Sequence, residues 1–398
     1  MSVRKLGNDE PQDGVAKLRI ASYPYFPEVR NTEYYDALHR WYLTHPLAGE
    51  MRHWVAVTEK GETVGHLAAL PQYYRIGGRR IIAHTPGDYM VLPGYSFQAF
   101  ALMRAFFRAT ENCVACDTVP AVIRVESRLG AEVAGEMQYA AKLLNVSRLP
   151  IPPVPEPLRK LLNLPPGLAP ARGYESHPGS TEQHNEEVPA TPPVRPRMPI
   201  PGAIKSLFNK GLHAIDEALA RGYGGDLKAE ELESFDESFD ELFEKVATVI
   251  PCVPEKDAAF LNWRYGPGSP QHPVKVLAVR GDQGLLGYAV LKVTSEGQDG
   301  YILDLTTLPG YRDVARALLR DSVRYFRWAG AHIIRYRLLE SPTSVRPEDL
   351  RRLGFFHRKG RRNSLLVKFA DKDLHGLGRN LDNWSYNVGD GEATFWLR

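Results

Sequence analysis

Residues 303–317 combine an apolar strand, a sharp turn and the start of a helix in a way that suits a phosphate-bearing ligand. The strand LDLTT leads into the turn LPGY, and a helix follows from Arg312 onward. A helix that starts directly after a strand leaves its first N–H groups unpaired, and the helix dipole adds partial positive charge there. A diphosphate fits this position, where Arg312 would add a charge-assisted bond and the small Ala315 and Ala317 would allow close approach.

The same pattern occurs earlier in the chain. Residues 88–95 read DYMVLPGY and residues 304–311 read DLTTLPGY, so matching positions are 216 residues apart. The helices that follow also match, with AFALMR in the first and ARALLR in the second. An internal repeat of this length predicts two copies of one domain, and we place them at residues 17–149 and 228–398.

Upstream of these turns the repeat continues with a different spacing. Trp41 matches Trp263 and Gly65 matches Gly287, each pair 222 residues apart. The change from 222 to 216 means that a hairpin of the first copy is six residues longer, and the Gly-Gly of YYRIGGRRII is a suitable turn for it.

Each copy has the same predicted order of elements. A helix precedes two hairpin strands, a third strand leads into the LPGY turn, and the next helix is followed by a strand, a short helix and a last strand pair. This order predicts an α+β fold in which each copy is a mixed, mostly antiparallel sheet flanked by helices.

A proline-dense stretch separates the two copies. Prolines in residues 150–201 remove amide donors and fix φ, so we expect an extended linker there. Residues 202–227 then place apolar side chains on one face of a helix. We expect this helix to dock on the second domain, with membrane-surface binding as the alternative, which its acidic residues disfavour.

Composition restricts the classes of partner. A formal net charge of +3 in 398 residues gives no electrostatic reason to expect DNA as a partner. No apolar run is long enough for a signal peptide or a membrane span, so we expect a cytoplasmic protein. Cys113 and Cys116 form a C-x-x-C motif inside an apolar run, which favours a buried strand over a metal site.

The order of elements, the repeated LPGY turn and the closing Arg352-Leu-Gly resemble the GNAT acyltransferase superfamily in tandem form. The resemblance covers both copies but not the linker. The family's acyl-CoA signature leads from a strand into a helix, and this resemblance implies a cofactor site for acyl-CoA, most simply acetyl-CoA. Its residues would be Leu308, Pro309, Gly310, Arg312, Ala315 and Ala317.

Both copies depart from that signature. The first small position, normally glycine, is Ala315 in the second copy and Ala99 in the first, and the arginine is replaced by Ser96 in the first. The sequence therefore favours the second copy as the acyl-CoA site and the first as a scaffold or substrate wall. The family's usual base implies a catalytic role for Asp304. Because the family's usual tyrosine position holds Leu350, the acid would be water or another residue such as Tyr311 or Tyr336, unless this half has lost catalysis.

The resemblance implies transfer of an acyl group from acyl-CoA to an amine of a small molecule or of a sugar or envelope precursor. Two alternatives remain open at this point. A Fem-like enzyme would take aminoacyl groups from tRNA, and a pair of degenerate domains would serve as a binding or assembly module without catalysis. The sequence leaves open the acceptor, the acyl length and the oligomeric state.

Overall fold

The computed structural model describes residues 2–7, 10, 13–23, 32–146, 202–294, 299–358 and 363–392. The predicted proline-rich linker lies outside these residues. Among the described helices, none combines the length and apolarity that crossing a bilayer requires.

Two large sheets form the centre of the protein. The strands of the first sheet are β1 (Ser2–Leu6), β2 (Arg52–Val57), β3 (Thr63–Ile76), β4 (Arg79–Val91), β5 (Cys113–Asp117), β6 (Glu132–Glu136), β9 (Cys252–Pro254) and β15 (Ser364–Lys368). Those of the second are β7 (Gln138–Leu143), β8 (Glu230–Leu232), β10 (Lys275–Gly281), β11 (Gly284–Val293), β12 (Asp299–Thr307), β13 (Ile333–Leu338) and β14 (Phe356–His357). Only the pairs β4–β5 and β12–β13 are parallel.

The two sheets have the same strand order, with one strand exchanged between them. The first runs β1-β2-β3-β4-β5-β15-β6, with β9 beside β3, and the second runs β8-β10-β11-β12-β13-β7-β14. Strand β7, from the first half of the chain, therefore lies in the second sheet, and β15, from the second half, lies in the first. Each predicted domain thus takes one strand from the other, while the boundaries at 149 and 228 remain predictions.

Ten helices flank the sheets in the described part of the chain. They are α1 (Asp13–Ser22), α2 (Thr32–Leu43), α3 (Phe97–Ala109), α4 (Pro120–Arg128), α5 (Gly202–Ala220), α6 (Ser238–Ala247), α7 (Ala258–Tyr265), α8 (Arg312–Trp328), α9 (Pro347–Arg352) and α10 (Lys372–Gly378). The predicted fold class, two mostly antiparallel sheets flanked by helices, is confirmed.

Helices α3 and α8 occupy matching places on the two sheets. Helix α3 buries Leu102 and Phe106 against the first sheet, and α8 buries Leu318 and Phe326 against the second. Each fully buried side chain of this size contributes about 1.5–3 kcal/mol through the hydrophobic effect. This packing fixes where each helix begins, at the end of the strand that precedes it.

A symmetric contact between two tryptophans joins the halves. The rings of Trp41 and Trp263 stack with centroids 4.3 Å apart. The indole Nε1–H of Trp41 donates to the carbonyl oxygen of Trp263 at 2.7 Å, and that of Trp263 donates to the carbonyl oxygen of Trp41 at 2.9 Å. These are the residues that the sequence repeat pairs, so matching positions of the two halves contact one another.

Each sheet opens between its two parallel strands. Only His84 and Cys113 are in register between β4 and β5, and the ladder between β12 and β13 ends at Ile302 and Tyr336. The C-terminal segment, which we define as residues 384–392, contacts both openings. Asn387 bridges to Leu338 beside β12, and a Glu392 carboxylate oxygen accepts the Asp88 amide of β4 at 3.0 Å.

Candidate functional site

The corner between β12 and α8, where the sequence places the acyl-CoA site, is closely covered. The Gly310 amide donates to the carbonyl oxygen of Pro342 at 3.0 Å, and the Arg312 amide donates to that of Gly310 at 2.8 Å. Leu308, Ala315 and Ala317 are buried, whereas Pro309 is half-buried and Gly310 is exposed. Two of the amides that a diphosphate would need therefore already have partners.

Arg312, the predicted phosphate ligand, is held by acidic residues of α9. Its guanidinium makes two hydrogen bonds to Asp349, at 2.8 and 2.9 Å, and one to Glu348 at 3.0 Å. Burial alone would raise the pKa of Asp349, but Arg312 and Arg316 outweigh it and lower that pKa. The carboxylates neutralise the cation, so this corner has little charge left to attract an anion.

A glycine-rich segment covers α8 on another side. Gly224 lies so close to Ala317 that a Cβ atom on it would be 2.8 Å from the Ala317 Cα. Arg320 donates to the carbonyl oxygens of Tyr223 at 2.8 Å and of Gly225 at 3.3 Å, which fixes the segment in place. Ala317 is therefore small because backbone packs on it.

Asp304, the predicted base, lies inside a buried polar cluster. Its oxygens accept from Lys256 at 2.9 Å, Asn387 at 2.9 Å, Thr306 at 2.7 Å and Tyr288 at 3.2 Å. Lys256 Nζ also lies 3.1 Å from a carboxylate oxygen of Asp390. Burial would lower the pKa of Lys256, but the two carboxylates outweigh it and raise that pKa.

The C-terminal segment supplies two side chains of this cluster. Besides Asn387 and Asp390, it offers the carbonyl oxygens of Gly389 and Gly391 to the buried guanidinium of Arg264, the former at 2.6 Å. The Asp304 cluster therefore holds the C-terminal segment in the opening of the second sheet. Tyr311, the predicted acid, is 41% exposed and lies outside the cluster. The catalytic roles of Asp304 and Tyr311 remain predictions.

The matching corner of the first half, between β4 and α3, is more open. Pro93, Gly94, Ser96 and Phe97 are exposed. Within the described residues, the amides of Gly94, Ser96 and Phe97 have no hydrogen-bond partner, whereas the matching Gly310 and Arg312 amides do. A helix N-terminus with free amides attracts anions through both hydrogen bonding and the helix dipole. No carboxylate ion pair is described at this corner, in contrast to that formed by Asp349.

Next to this corner, β4 is distorted at Asp88. The register between β3 and β4 shifts there, and Asp88 has a φ of 49°, which is unusual for a residue other than glycine. Its side chain is paired with Arg19 of α1 and lies 3.2 Å from Nδ1 of His66. The other nitrogen of His66, Nε2, lies 3.2 Å from Nδ1 of His53.

The sequence analysis missed Arg19, His53 and His66. The hairpin register of β2 and β3 could have found the histidines, since His66 is opposite Val55 and His53 is two residues before Val55. Residues two apart on a strand point to the same face, so the two histidines are diagonal neighbours. No sequence pattern places Arg19 next to them.

Cys113 and Cys116 are buried in β5 as free cysteines, as the sequence predicts. Within the described ranges, no group of three or more His, Cys, Asp or Glu side chains is arranged to hold a metal ion.

Comparison with known proteins gives matches in structure alone. No family model matches the sequence. No curated protein matches it either. A GCN5-related N-acetyltransferase from Anabaena variabilis matches with a TM-score of 0.52 at 12% identity, over 94% of this chain and 74% of that one.

Two further solved structures extend this likeness. A probable N-acyltransferase of unknown function from Enterococcus faecalis matches with a TM-score of 0.52 at 9% identity, over 94% of this chain and 73% of that one. N-myristoyltransferase from Saccharomyces cerevisiae, solved with bound myristoyl-CoA, matches with a TM-score of 0.51 at 11% identity, over 92% and 80%. This chain therefore has the fold of the GCN5-related N-acetyltransferases and of N-myristoyltransferase.

Proposed function

We propose that this chain is an N-acyltransferase that moves an acyl group, most simply acetyl, from acyl-CoA to an amine of a small molecule or sugar precursor. The observation that carries the proposal is a strand-to-helix corner with unpartnered amides, beside an opening between parallel strands, in a fold shared with acyl-CoA enzymes. A diphosphate at the corner would leave the thioester to enter the opening.

The contacts of the two corners support the first half as the donor site. The amides of Gly94 and Ser96 are available to phosphate oxygens, whereas those of Gly310 and Arg312 are used within the protein. Carboxylates of Glu348 and Asp349 would also repel a diphosphate at the second corner. The sequence favoured the second half, and its residues Leu308 to Ala317 remain the alternative position for acyl-CoA.

A pair of matched substitutions separates these positions. Ser96 and Arg312 are 216 residues apart; Ser96 directly precedes α3 and Arg312 is the first residue of α8. Ser96→Glu and Arg312→Glu therefore each place a carboxylate at one helix start. Isothermal titration of the full chain with acetyl-CoA and with myristoyl-CoA measures the affinity. We expect Ser96→Glu to weaken binding at least about tenfold, or 1.4 kcal/mol, and Arg312→Glu to leave it unchanged.

The reverse result, in which only Arg312→Glu weakens binding, would place acyl-CoA in the second half as the sequence predicts. Absence of binding of either acyl-CoA to the unmodified chain would overturn the proposal. Aminoacyl transfer from tRNA, or a binding module without catalysis, would then be the favoured function.

A further inference from the structure

A cleft on the first sheet contains several polar side chains that the proposed donor site does not use. It lies between α1, α2 and strands β2 to β4. Its cavity volume is about 30 Å³, which is enough for an amino group, and one side is open to solvent. Its polar lining consists of Arg19, His39, Tyr42, His53, His66 and Asp88, and its apolar lining comes from α1 and α2.

The hydrogen-bond chain in this cleft has a fixed direction. Nδ1 of His66 faces only acceptors, namely the Asp88 carbonyl oxygen at 2.9 Å and an Asp88 carboxylate oxygen at 3.2 Å. His66 must therefore carry a proton on Nδ1, and in the uncharged form of the ring Nε2 is then an acceptor. Since Nδ1 of His53 is 3.2 Å from that Nε2, it must donate, and Nε2 of His53 keeps a lone pair.

Asp88, the last residue of this hydrogen-bond chain, is held in its charged form. Both of its carboxylate oxygens pair with the buried guanidinium of Arg19. Burial alone would raise the pKa of Asp88, but the charge of Arg19 and the hydrogen bonds from His66 and Arg19 outweigh it and keep that pKa below its ordinary value. A carboxylate that stays ionised fixes the proton of His66, as the aspartate of a catalytic triad fixes its histidine.

His53 is neutral at physiological pH. Burial lowers the pKa of His53, and the carboxylate of Asp88 opposes that effect. A neutral imidazole with an unprotonated Nε2 is a proton acceptor. Within the described residues no hydrogen bond is made by this nitrogen, and His53 lines the cleft.

A tyrosine hydroxyl beside this hydrogen-bond chain lacks a described hydrogen-bond partner. Tyr42 is 6% exposed, and its hydroxyl has no hydrogen bond in the described part of the protein although it lines the cleft. A buried hydroxyl without a partner costs about 1–3 kcal/mol, so such groups are retained mainly where a ligand or water satisfies them.

We propose that this cleft binds the primary amine that accepts the acyl group, with His53 as its proton acceptor and the Tyr42 hydroxyl as a hydrogen-bond partner. The proposal rests on the proposed acyltransferase function. The uncharged amine would attack the thioester carbonyl, forming a C–N bond while the C–S bond breaks and the CoA thiolate leaves with its electron pair.

The proton balance of this step follows from the chain of residues. The attacking nitrogen loses one proton to Nε2 of His53, and the positive charge that forms is stabilised through His66 by the carboxylate of Asp88. His53 then returns the proton to water at the open side of the cleft, and the thiolate takes one from water. His53 is the catalytic residue in this scheme, whereas His66 and Asp88 position it.

Nitrogen NMR of the full-length protein labelled with ¹⁵N-histidine tests the direction of the hydrogen bonds between His53, His66 and Asp88. Signals are assigned with His53→Gln and His66→Gln. We expect the proton of each ring on Nδ1, with the Nε2 atoms bare. A proton on Nε2 of His53, or a charged ring near neutral pH, would refute the relay.

Titration with two amines tests the binding site. Glucosamine and butylamine, added to the labelled chain at millimolar concentrations, should shift the His53 signals, and Tyr42→Phe should weaken that effect several-fold. His84→Gln is the control, because His84 is also buried but bonds to the Glu50 carbonyl oxygen outside the cleft. If neither amine shifts His53, the acceptor site is refuted.

These results are distinguishable from failure of the proposed function. A chain that binds acyl-CoA but has the opposite histidine tautomers would refute the relay alone. A chain with the expected tautomers and amine shifts but no affinity for acyl-CoA would refute the acyltransferase. Where an amine is acylated, His53→Gln should lower kcat at least about 100-fold and leave acyl-CoA affinity unchanged.

Discussion

Replacing Lys256 with methionine would show how firmly the C-terminal segment is locked into the core. Lys256 is 4% exposed and its ammonium lies 2.9 Å from Asp304 and 3.1 Å from Asp390. Asp304 belongs to β12 and Asp390 to the C-terminal segment, so the lysine joins them. Lys256→Met keeps most of the apolar stem of the side chain and removes the ammonium group, with its charge and hydrogen bonds.

The magnitude follows from these distances. At about 3 Å and an effective dielectric constant of about 20, each ion pair is worth roughly 5–6 kcal/mol before desolvation is subtracted. Most of that gain offsets the cost of burying the charges, but loss of the cation leaves two buried carboxylates uncompensated. Breaking a buried pair in this way costs about 3–5 kcal/mol, a large part of the roughly 5–15 kcal/mol that stabilises a domain.

The stability lost in Lys256→Met should be smaller at low pH than at high pH. Burial, and then the charge of Asp304, raise the pKa of Asp390 even with Lys256 present. Without the cation, the folded-state pKa of Asp390 rises further above its unfolded value. A group of this kind stabilises the fold at low pH and loses that contribution as pH rises through the folded-state pKa. The variant should therefore be closest to the unmodified protein in acid.

Urea unfolding followed by tryptophan fluorescence at about pH 5 and about pH 8 measures both effects. Trp384 reports on the segment directly because it is fully buried there. The control is Lys275→Met, which removes an exposed pair with Glu231 and should cost less than about 1 kcal/mol. A loss for Lys256→Met no larger than the control's, or an equal loss at both pH values, would refute the reasoning.

Three further predictions concern other buried groups. Burial raises the pKa of Glu126, whose carboxyl has no described hydrogen-bond partner. In urea titrations the unmodified protein should therefore lose more stability between about pH 5 and about pH 8 than Glu126→Gln does, and parallel curves would contradict this. Gly389→Ala would place a methyl 2.6 Å from a β12 carbonyl and should cost about 1–3 kcal/mol in the same assay, whereas Gly376→Ala, with open space, should be neutral or stabilising. A double-mutant cycle of Trp41→Phe and Trp263→Phe should give a coupling of at least about 1 kcal/mol, and strict additivity would show that the paired contact contributes nothing.

Local patterns in the sequence determined the elements and their order. Helix α8 follows the apolar spacing of its residues, and the LPGY turn ends β12 because Gly310 adopts a φ of 84° that few other residues accept. The repeat also paired Trp41 with Trp263 before the structure brought them into contact. Such features depend on neighbours within a few residues or on comparison of one segment with another, and both are readable in a single chain.

Tertiary structure decided which segments meet. Exchange of β7 and β15 between the sheets, closure of the Arg312 corner by α9, and insertion of the C-terminal segment beside Asp304 all join residues far apart in the chain. The pairing of Arg19 with Asp88 is of the same kind. Hydrophobic periodicity determines which face of a strand is buried. It does not determine which neighbouring strand it pairs with, because backbone hydrogen bonds are the same for every sequence.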